Sequence, residues 1–90
     1  MKVLVICTPR PGVQPGDIGA HAAAEMAALK ELQSDGTLAG AYSPGGPGAV
    51  LIFEAGRPAV ETALAGLPMV RDGLIDTEII ELHPFPGLAG

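Results

Sequence analysis

The sequence predicts a single α+β domain in which two helices pack on one face of a four-stranded antiparallel sheet. Three observations lead to this fold class. The chain has 90 residues, enough for one domain with a thin core. Its apolar runs follow the order strand, helix, strand, strand, helix, strand. Only a short Pro/Gly cluster separates the second and third strand runs, which favours a hairpin.

The first half of the chain predicts a strand followed by a long helix. Residues 2–8 are rich in β-branched side chains and apolar on both faces, which is typical of a strand covered on both sides. A stiff loop with three Pro and two Gly follows at 9–16, and we expect it to border any pocket. Asp17 is the expected N-cap of a helix that runs to about Ser34. Gly36 suits the left-handed position that follows a helix end.

The middle of the chain predicts the hairpin and a second helix. Residues 37–42 and 49–55 form its two strands, around a turn cluster at 43–48. The glycines of this cluster are explained by the turn, because no Lys-Ser or Lys-Thr helix start follows them as in a phosphate loop. Pro58 suits the first turn of a helix that runs to about residue 65, and the Gly-Leu-Pro sequence at 66–68 breaks it.

The last strand completes a β-α-β-β-α-β order, which defines the ferredoxin-like, split βαβ arrangement. This strand covers residues 74–83, and residues 83–90 form a Pro/Gly-rich C-terminal tail. The first and third strands are central in this topology, and the second and fourth lie at the edges. Asp76, Glu78 and Glu81 suit an edge strand that is protected by charge.

The sheet face opposite the helices predicts self-association. Strands one and three are apolar on that face too, so something must cover it. A second copy of the same sheet is the simplest cover, which predicts a homodimer with a sheet-on-sheet or barrel interior, a dimeric α+β barrel. The composition agrees, because 48% of the residues are apolar and only 17% are charged.

Charge and composition exclude several partners. The net charge is −5, and the five Lys and Arg residues are scattered, so nucleic acid and anionic membrane surfaces are not expected partners. One cysteine, Cys7, excludes an internal disulfide and is interpreted as an inert filler of a central strand. The apolar run at 3–7 is too short for a signal peptide core or a membrane span, so we expect a cytoplasmic protein.

Several short stretches resemble one group of proteins. They are Glu-Leu-Gln-Ser-Asp-Gly at 31–36, the hairpin after it, Gly-Leu-Pro-Met-Val at 66–70, and residues 79–84. Together these stretches, across residues 18–86, resemble the muconolactone isomerase-like proteins of the dimeric α+β barrel superfamily. The resemblance implies a ferredoxin-like protomer that dimerises through its sheet. It also implies a proton shift in a small lactone acid without a cofactor.

Glu25 is the strongest catalytic candidate. It projects within about 30° of the middle of the apolar stripe of the first helix. An ionised carboxylate there must find a partner, take up a proton or contact trapped water, which suits a general base or acid. The alternative is that Met26 faces inward and Glu25 lies at the boundary. The apolar stripe consists of Ile18, Ala22, Leu29 and Leu32.

His21 and Tyr42 are candidates for the second proton. His21 lies one helical turn before Glu25, so the pair is spaced to pass a proton or to supply two metal ligands, although no third ligand is evident. The alternative is a solvated surface histidine. Tyr42 ends the second strand, where a phenol beside a pocket is able to polarise a carbonyl. The alternative is an edge residue that packs its ring.

Arg71 and Arg10 are candidates for substrate binding. Arg71 follows the Leu-Pro break and is able to bind a substrate carboxylate in a bidentate manner, unless it pairs with Asp72 or another acid. Arg10, in the stiff loop, is a weaker candidate for the same task. Glu78 is another possible cavity acid, although edge protection explains it more simply.

Two classes of function remain open from the sequence. The first is a cofactor-independent enzyme that moves a proton next to a carbonyl in a small lactone or enol-like acid; a cyclase or a cofactor-free oxygenase are variants of it. The second is a non-catalytic dimeric module for ligand binding or assembly, favoured by the scarcity of polar side chains. A pocket that holds Glu25 with Tyr42 or His21 favours the enzyme, and one filled by Leu and Met favours the module.

Overall fold

A computed structural model describes all residues, 1–90, and contains four strands and three helices. In chain order they are β1 (Lys2–Pro9), α1 (Pro15–Ser34), β2 (Leu38–Tyr42), β3 (Ala49–Phe53), α2 (Arg57–Ala65), α3 (Pro68–Arg71) and β4 (Ile75–Leu82). None of the helices is long and apolar enough to cross a membrane.

The strands form one antiparallel sheet in the order β2-β3-β1-β4, which confirms the predicted ferredoxin-like fold. The central strands are β1 and β3, and the charged strand β4 lies at an edge as predicted. At one end of the sheet, Cys7 pairs with Ala49 on β3, and Pro9 pairs with Ile75 on β4. This register brings the end of β1 together with the beginnings of β3 and β4.

The core lies between the helices and one face of the sheet. Val3, Val5 and Phe53 are fully buried there, and Val60 of α2 packs against them. In contrast, α1 contributes no fully buried residue, although it has 20 residues. Because its inner side meets the core only through half-buried residues such as Leu29, space remains between α1 and the sheet.

The opposite face of the sheet is apolar and has no cover within the chain. In its middle, Leu4 of β1 pairs with Ile52 on one side and with Ile80 on the other, which forms one apolar row across three strands. Leu4 and Ile52 are half-buried, and Ile80 is exposed. This face, which we call the open face, is the one for which the sequence predicts a second copy.

Two local predictions are wrong. The N-cap of α1 is Gln14, not Asp17, because Pro15 begins the helix and the Asp17 carboxylate accepts a hydrogen bond from the Gln14 N–H at 3.2 Å. The second error is that the sequence predicts only a break after α2, whereas Pro68 begins the four-residue helix α3. Gly36 adopts the expected left-handed conformation after α1, with φ of 86°.

Candidate functional site

The space beneath α1 is a partly open cavity of about 220 Å³. It lies at the end of the sheet where β1 ends and β3 and β4 begin, and α3 closes one side. Most of its wall is apolar, and Glu25 is its only charged residue. The lining residues are Cys7, Pro9, Ile18, Glu25, Leu29, Pro47, Gly48, Ala49, Leu51, Met69 and Ile75.

Glu25 reaches the cavity from α1, as the helical periodicity predicts. Its Oε1 accepts a hydrogen bond from the backbone N–H of Met69 at 2.9 Å, and its Oε2 has no hydrogen bond within the chain. Because the first N–H groups of α3 have no partner in their own helix, this carboxylate caps α3 from outside. The neighbouring Met26 is 53% exposed, so Glu25 and not Met26 faces inward.

Cys7 is the second group in the cavity wall that is able to carry a proton. It lies on β1 facing α1, and it is buried in the core cluster. Burial, together with the negative charge of Glu25, raises the pKa of the Cys7 thiol to about 11. The thiol is therefore neutral near pH 7. The carboxylate of Glu25 and the thiol line the same cavity.

The β2–β3 loop forms one wall of the cavity, through Pro47 and Gly48. Gly48 has φ of 106°, and a Cβ atom at this position would collide with the carbonyl oxygen of Cys7. Only glycine therefore allows this loop to approach β1 closely. The sequence predicts the turn here but not its place in the site.

His21 does not reach the cavity. Its Nδ1 contacts the carbonyl oxygen of Asp17 at 2.8 Å, and its Nε2 contacts Asp72 Oδ2 at 2.9 Å, beyond the end of α3. Both nitrogens face acceptors, so the protonated ring satisfies both contacts. The hydrogen bond to Asp17, followed by the one to Asp72, raises the pKa of His21. His21 thus joins α1 to the segment after α3.

The predicted arginine candidates also lie outside the cavity wall. Arg71 is exposed, and its Nε donates a hydrogen bond to Asp72 Oδ1 at 3.1 Å. This contact is the main cause of the raised pKa of Arg71, and the charge of Glu25 is the weakest contributor. Arg10 pairs with Asp76 through Nε at 2.8 Å. Its role in substrate binding, like that of Arg71, stays a prediction.

Tyr42 lies at the end of β2 and is 64% exposed. It pairs with Val50, which pairs in turn with Ile6, so it belongs to the outer part of the open face and not to the cavity. Its ring packs over Gly40, where an added Cβ would lie 3.1 Å from a ring carbon. Within one chain, the structure therefore brings neither Tyr42 nor His21 to Glu25.

The cavity is suited to proton transfer within a small apolar molecule. A carboxylate held by one oxygen has its other oxygen available to take a proton, and an apolar wall strengthens its electrostatic influence. No three His, Cys, Asp or Glu side chains are placed to hold a metal ion. The sequence does not predict that Cys7, Met69, Pro47 and Gly48 belong to the site. Met69 and Gly48 act through backbone geometry, for which the sequence carries no side-chain signal.

The sheet order and the helix placement define a ferredoxin-like protein. The chain superposes on muconolactone isomerase with a TM-score of 0.78 and 23% identity, over 97% of this chain and 93% of that one. It is similar also to 5-chloro-2-hydroxyhydroquinone dehydrochlorinase from Burkholderia phenoliruptrix AC1100, solved with 2,5-dihydroxybenzoquinone. Here the TM-score is 0.76 and the identity 21%, over 99% of this chain and 100% of that one.

These likenesses confirm the fold that the sequence resemblance implies. At such low identity, they carry no residue role from one protein to the other. No protein-family model matches the sequence, and no curated protein sequence matches it.

Proposed function

We propose that the protein is a cofactor-independent enzyme that moves a proton next to a carbonyl group in a small oxygenated ring. One observation carries this proposal: Glu25 is the only charged residue in an otherwise apolar cavity, with one carboxylate oxygen fixed and the other unpaired. The two similar enzymes support it, since both are named for reactions of small cyclic molecules.

In the proposed reaction, Glu25 acts as the general base. Its Oε2 takes a proton from the carbon next to the substrate carbonyl, and the electron pair of that C–H bond moves into an enolate. The proton then returns to a different carbon of the conjugated system, so that substrate and product are isomers. The hydrogen bond from Met69 holds the carboxylate in one orientation, which favours removal and return on the same face.

Other residues predicted from the sequence have proposed supporting roles. His21 and Tyr42 are candidates for the second proton, and Arg71 and Arg10 for binding a substrate carboxylate. In the single chain all four lie outside the cavity, so they would contact a bound substrate only if a second chain brings them to it. A cyclase or a cofactor-free oxygenase is an alternative use of the same carboxylate.

We also propose that the protein is a homodimer that pairs through its open face. The apolar row across β3, β1 and β4 supports this, as does the incomplete burial of Leu4, Ile6 and Ile52. A two-fold pairing of the two sheets would bury this surface and place Tyr42 at an interface. An aqueous monomer would leave the row exposed to water.

The substitution Glu25→Gln tests the proposed function. Glutamine keeps a carbonyl oxygen that is able to accept the Met69 N–H, but it does not take up a proton at neutral pH. We expect turnover of muconolactone-like acids or simple unsaturated lactones to fall by at least about 100-fold, with little change in thermal stability. The matched control is Glu31→Gln, which makes the same change at an exposed position of α1.

Two results would contradict the mechanism. One is full activity of the Glu25→Gln variant, which would leave Glu25 as a cap of α3 only. The other is that the wild-type protein converts none of the lactones or of a panel of aromatic polyketide intermediates. That second result would favour a non-catalytic binding module. The module is also consistent with the absence of a second charged group from the cavity wall.

A further inference from the structure

We infer that the cavity selects uncharged rings and rejects rings that carry a carboxylate. This inference rests on the proposed function only in that it takes the cavity as the substrate site. It departs from the lactone acid that the sequence resemblance implies. If it holds, Arg71 and Arg10 are not carboxylate anchors, and uncharged lactones rather than muconolactone-like acids are the substrates that turn over. It is carried by the distribution of charge around the cavity, by the hydrogen-bonding groups of its wall and by its size.

No cation faces the cavity. Glu25 is the only charged residue among the eleven that line it. The two candidate arginines are exposed and already paired, Arg71 with Asp72 and Arg10 with Asp76, and the charge of Glu25 is the weakest of the influences on Arg71. A ligand carboxylate would therefore lose its hydration without gaining a counter-ion, and would lie beside a second negative charge.

The magnitude of this repulsion is large enough to decide specificity. Two like charges about 5 Å apart, at an effective dielectric constant of about 20, disfavour binding by on the order of a hundredfold. The net charge of −5 acts in the same direction over longer distances. No cation on the cavity wall offsets either effect.

The remaining polar groups fit an uncharged ring that bears a hydroxyl or carbonyl oxygen. Oε2 of Glu25 is able to accept a hydrogen bond from a ligand hydroxyl. The Cys7 thiol, neutral because burial raises its pKa to about 11, is a weak donor to a ligand oxygen. The rest of the wall, including Ile18, Leu29 and Leu51, offers only apolar contacts.

The size of the cavity fits one ring. An engineered apolar cavity of about 150 Å³ in another protein binds benzene. The present cavity of about 220 Å³ therefore has room for a five- or six-membered ring with small substituents. A fused pair of rings would need the wall to move.

Benzamide and benzoate are a matched pair of probes for this inference, because they share one shape and differ in charge at about pH 7. We expect the wild-type protein to bind benzamide at least tenfold more tightly than benzoate, as measured by titration calorimetry or ligand-observed NMR. In Glu25→Gln, benzoate binding should improve at least tenfold, while benzamide binding changes less than threefold. Glu31→Gln should behave as the wild type. If bound benzamide slows the alkylation of Cys7 by a thiol reagent, the probe lies in the cavity.

Three results would overturn the inference. The first is benzoate binding equal to or tighter than benzamide binding. If that preference disappears in Arg71→Gln but not in the control Arg57→Gln, the guanidinium of Arg71 is the anchor. The second is a Glu25→Gln variant with unchanged preference. The third is binding of neither probe. Because these are binding measurements, they are independent of turnover: selective binding without catalysis would contradict the proposed function alone.

Discussion

The thiol of Cys7 provides a direct measurement of the environment inside the cavity. A thiol with the ordinary pKa of 9.0 is about 10% ionised at pH 8, whereas one with a pKa of about 11 is about 0.1% ionised. Only the thiolate reacts with alkylating reagents, so Cys7 should react about 100-fold more slowly than free cysteine. Limited access to the buried sulphur slows the reaction further.

The assay is alkylation by iodoacetamide, followed by mass spectrometry, over a pH series from about 7 to about 11. The rate should keep rising up to about pH 11 instead of levelling off near pH 9. Glu25→Gln should increase the rate at pH 8, because it removes a negative charge that disfavours the thiolate. This increase should be smaller than the full 100-fold effect, since burial is the larger cause of the raised pKa.

A rate like that of free cysteine at pH 8 would refute the reasoning, because it would mean that Cys7 faces water. A decrease in Glu25→Gln would refute the proximity of the carboxylate to the thiol. Low concentrations of urea provide a check. If the rate rises steeply with urea, the reaction proceeds through unfolded molecules and does not report on the cavity.

The same raised pKa predicts how stability depends on pH. Between about pH 9 and pH 11 the thiol ionises in the unfolded chain but stays protonated in the folded one. The unfolded state therefore binds fewer protons, and the free energy of unfolding should fall as the pH rises through this range. Cys7→Ala should remove this part of the slope in urea denaturation. An unchanged slope would contradict the assignment.

Three further predictions concern the surroundings of the site. His21→Ala should lower the melting temperature most below about pH 6.5 and least at high pH. The reason is that the protonated ring contacts Asp72 and the α1 backbone, and these contacts are lost as the pH rises through the raised pKa of His21. A difference in melting temperature that does not depend on pH would contradict this. Gly48→Ala should destabilise the fold by about 2 kcal/mol or more in urea denaturation, because position 48 has a positive φ and an added Cβ would collide with the carbonyl oxygen of Cys7. A loss of stability under about 0.5 kcal/mol would contradict this prediction. Ile52→Asp should convert the proposed dimer to a monomer in analytical ultracentrifugation, and a wild-type protein that is already monomeric would contradict the pairing.

The order of the elements could be predicted because each carries a local signal. The β-branched run of β1 and the Pro/Gly cluster of the hairpin both depend on residues that are close in sequence. The sequence predicts the wrong N-cap for α1 because Asp17 suits both the cap and the third helical position, and Pro15 decides between them. The sequence does not predict α3, because four residues are too few to show a helical period.

The site could be predicted only where one residue is informative by itself. The helical period predicts that Glu25 faces inward, and the structure confirms this orientation. The surroundings of Glu25 depend on contacts between distant residues. The pairing of His21 with Asp72, for example, joins positions 51 residues apart. Similarly, the apolar run around Cys7 predicts only that it is a core residue. The space beneath α1, which the sequence does not show, makes it part of a cavity wall.

The structural role of Glu25 and its proposed catalytic role arise from one geometric cause. A short helix that begins above an apolar cavity leaves backbone N–H groups without partners, and a carboxylate from α1 satisfies one of them. That contact fixes one oxygen and leaves the other beside the cavity. The structural role therefore does not compete with the proposed chemical one, because each uses a different oxygen. Glu25→Ala removes both roles, whereas Glu25→Gln keeps the acceptor and removes the base. If alanine lowers stability by about 1 kcal/mol or more and glutamine does not, while both abolish turnover, the cap and the base are separate functions of the same side chain.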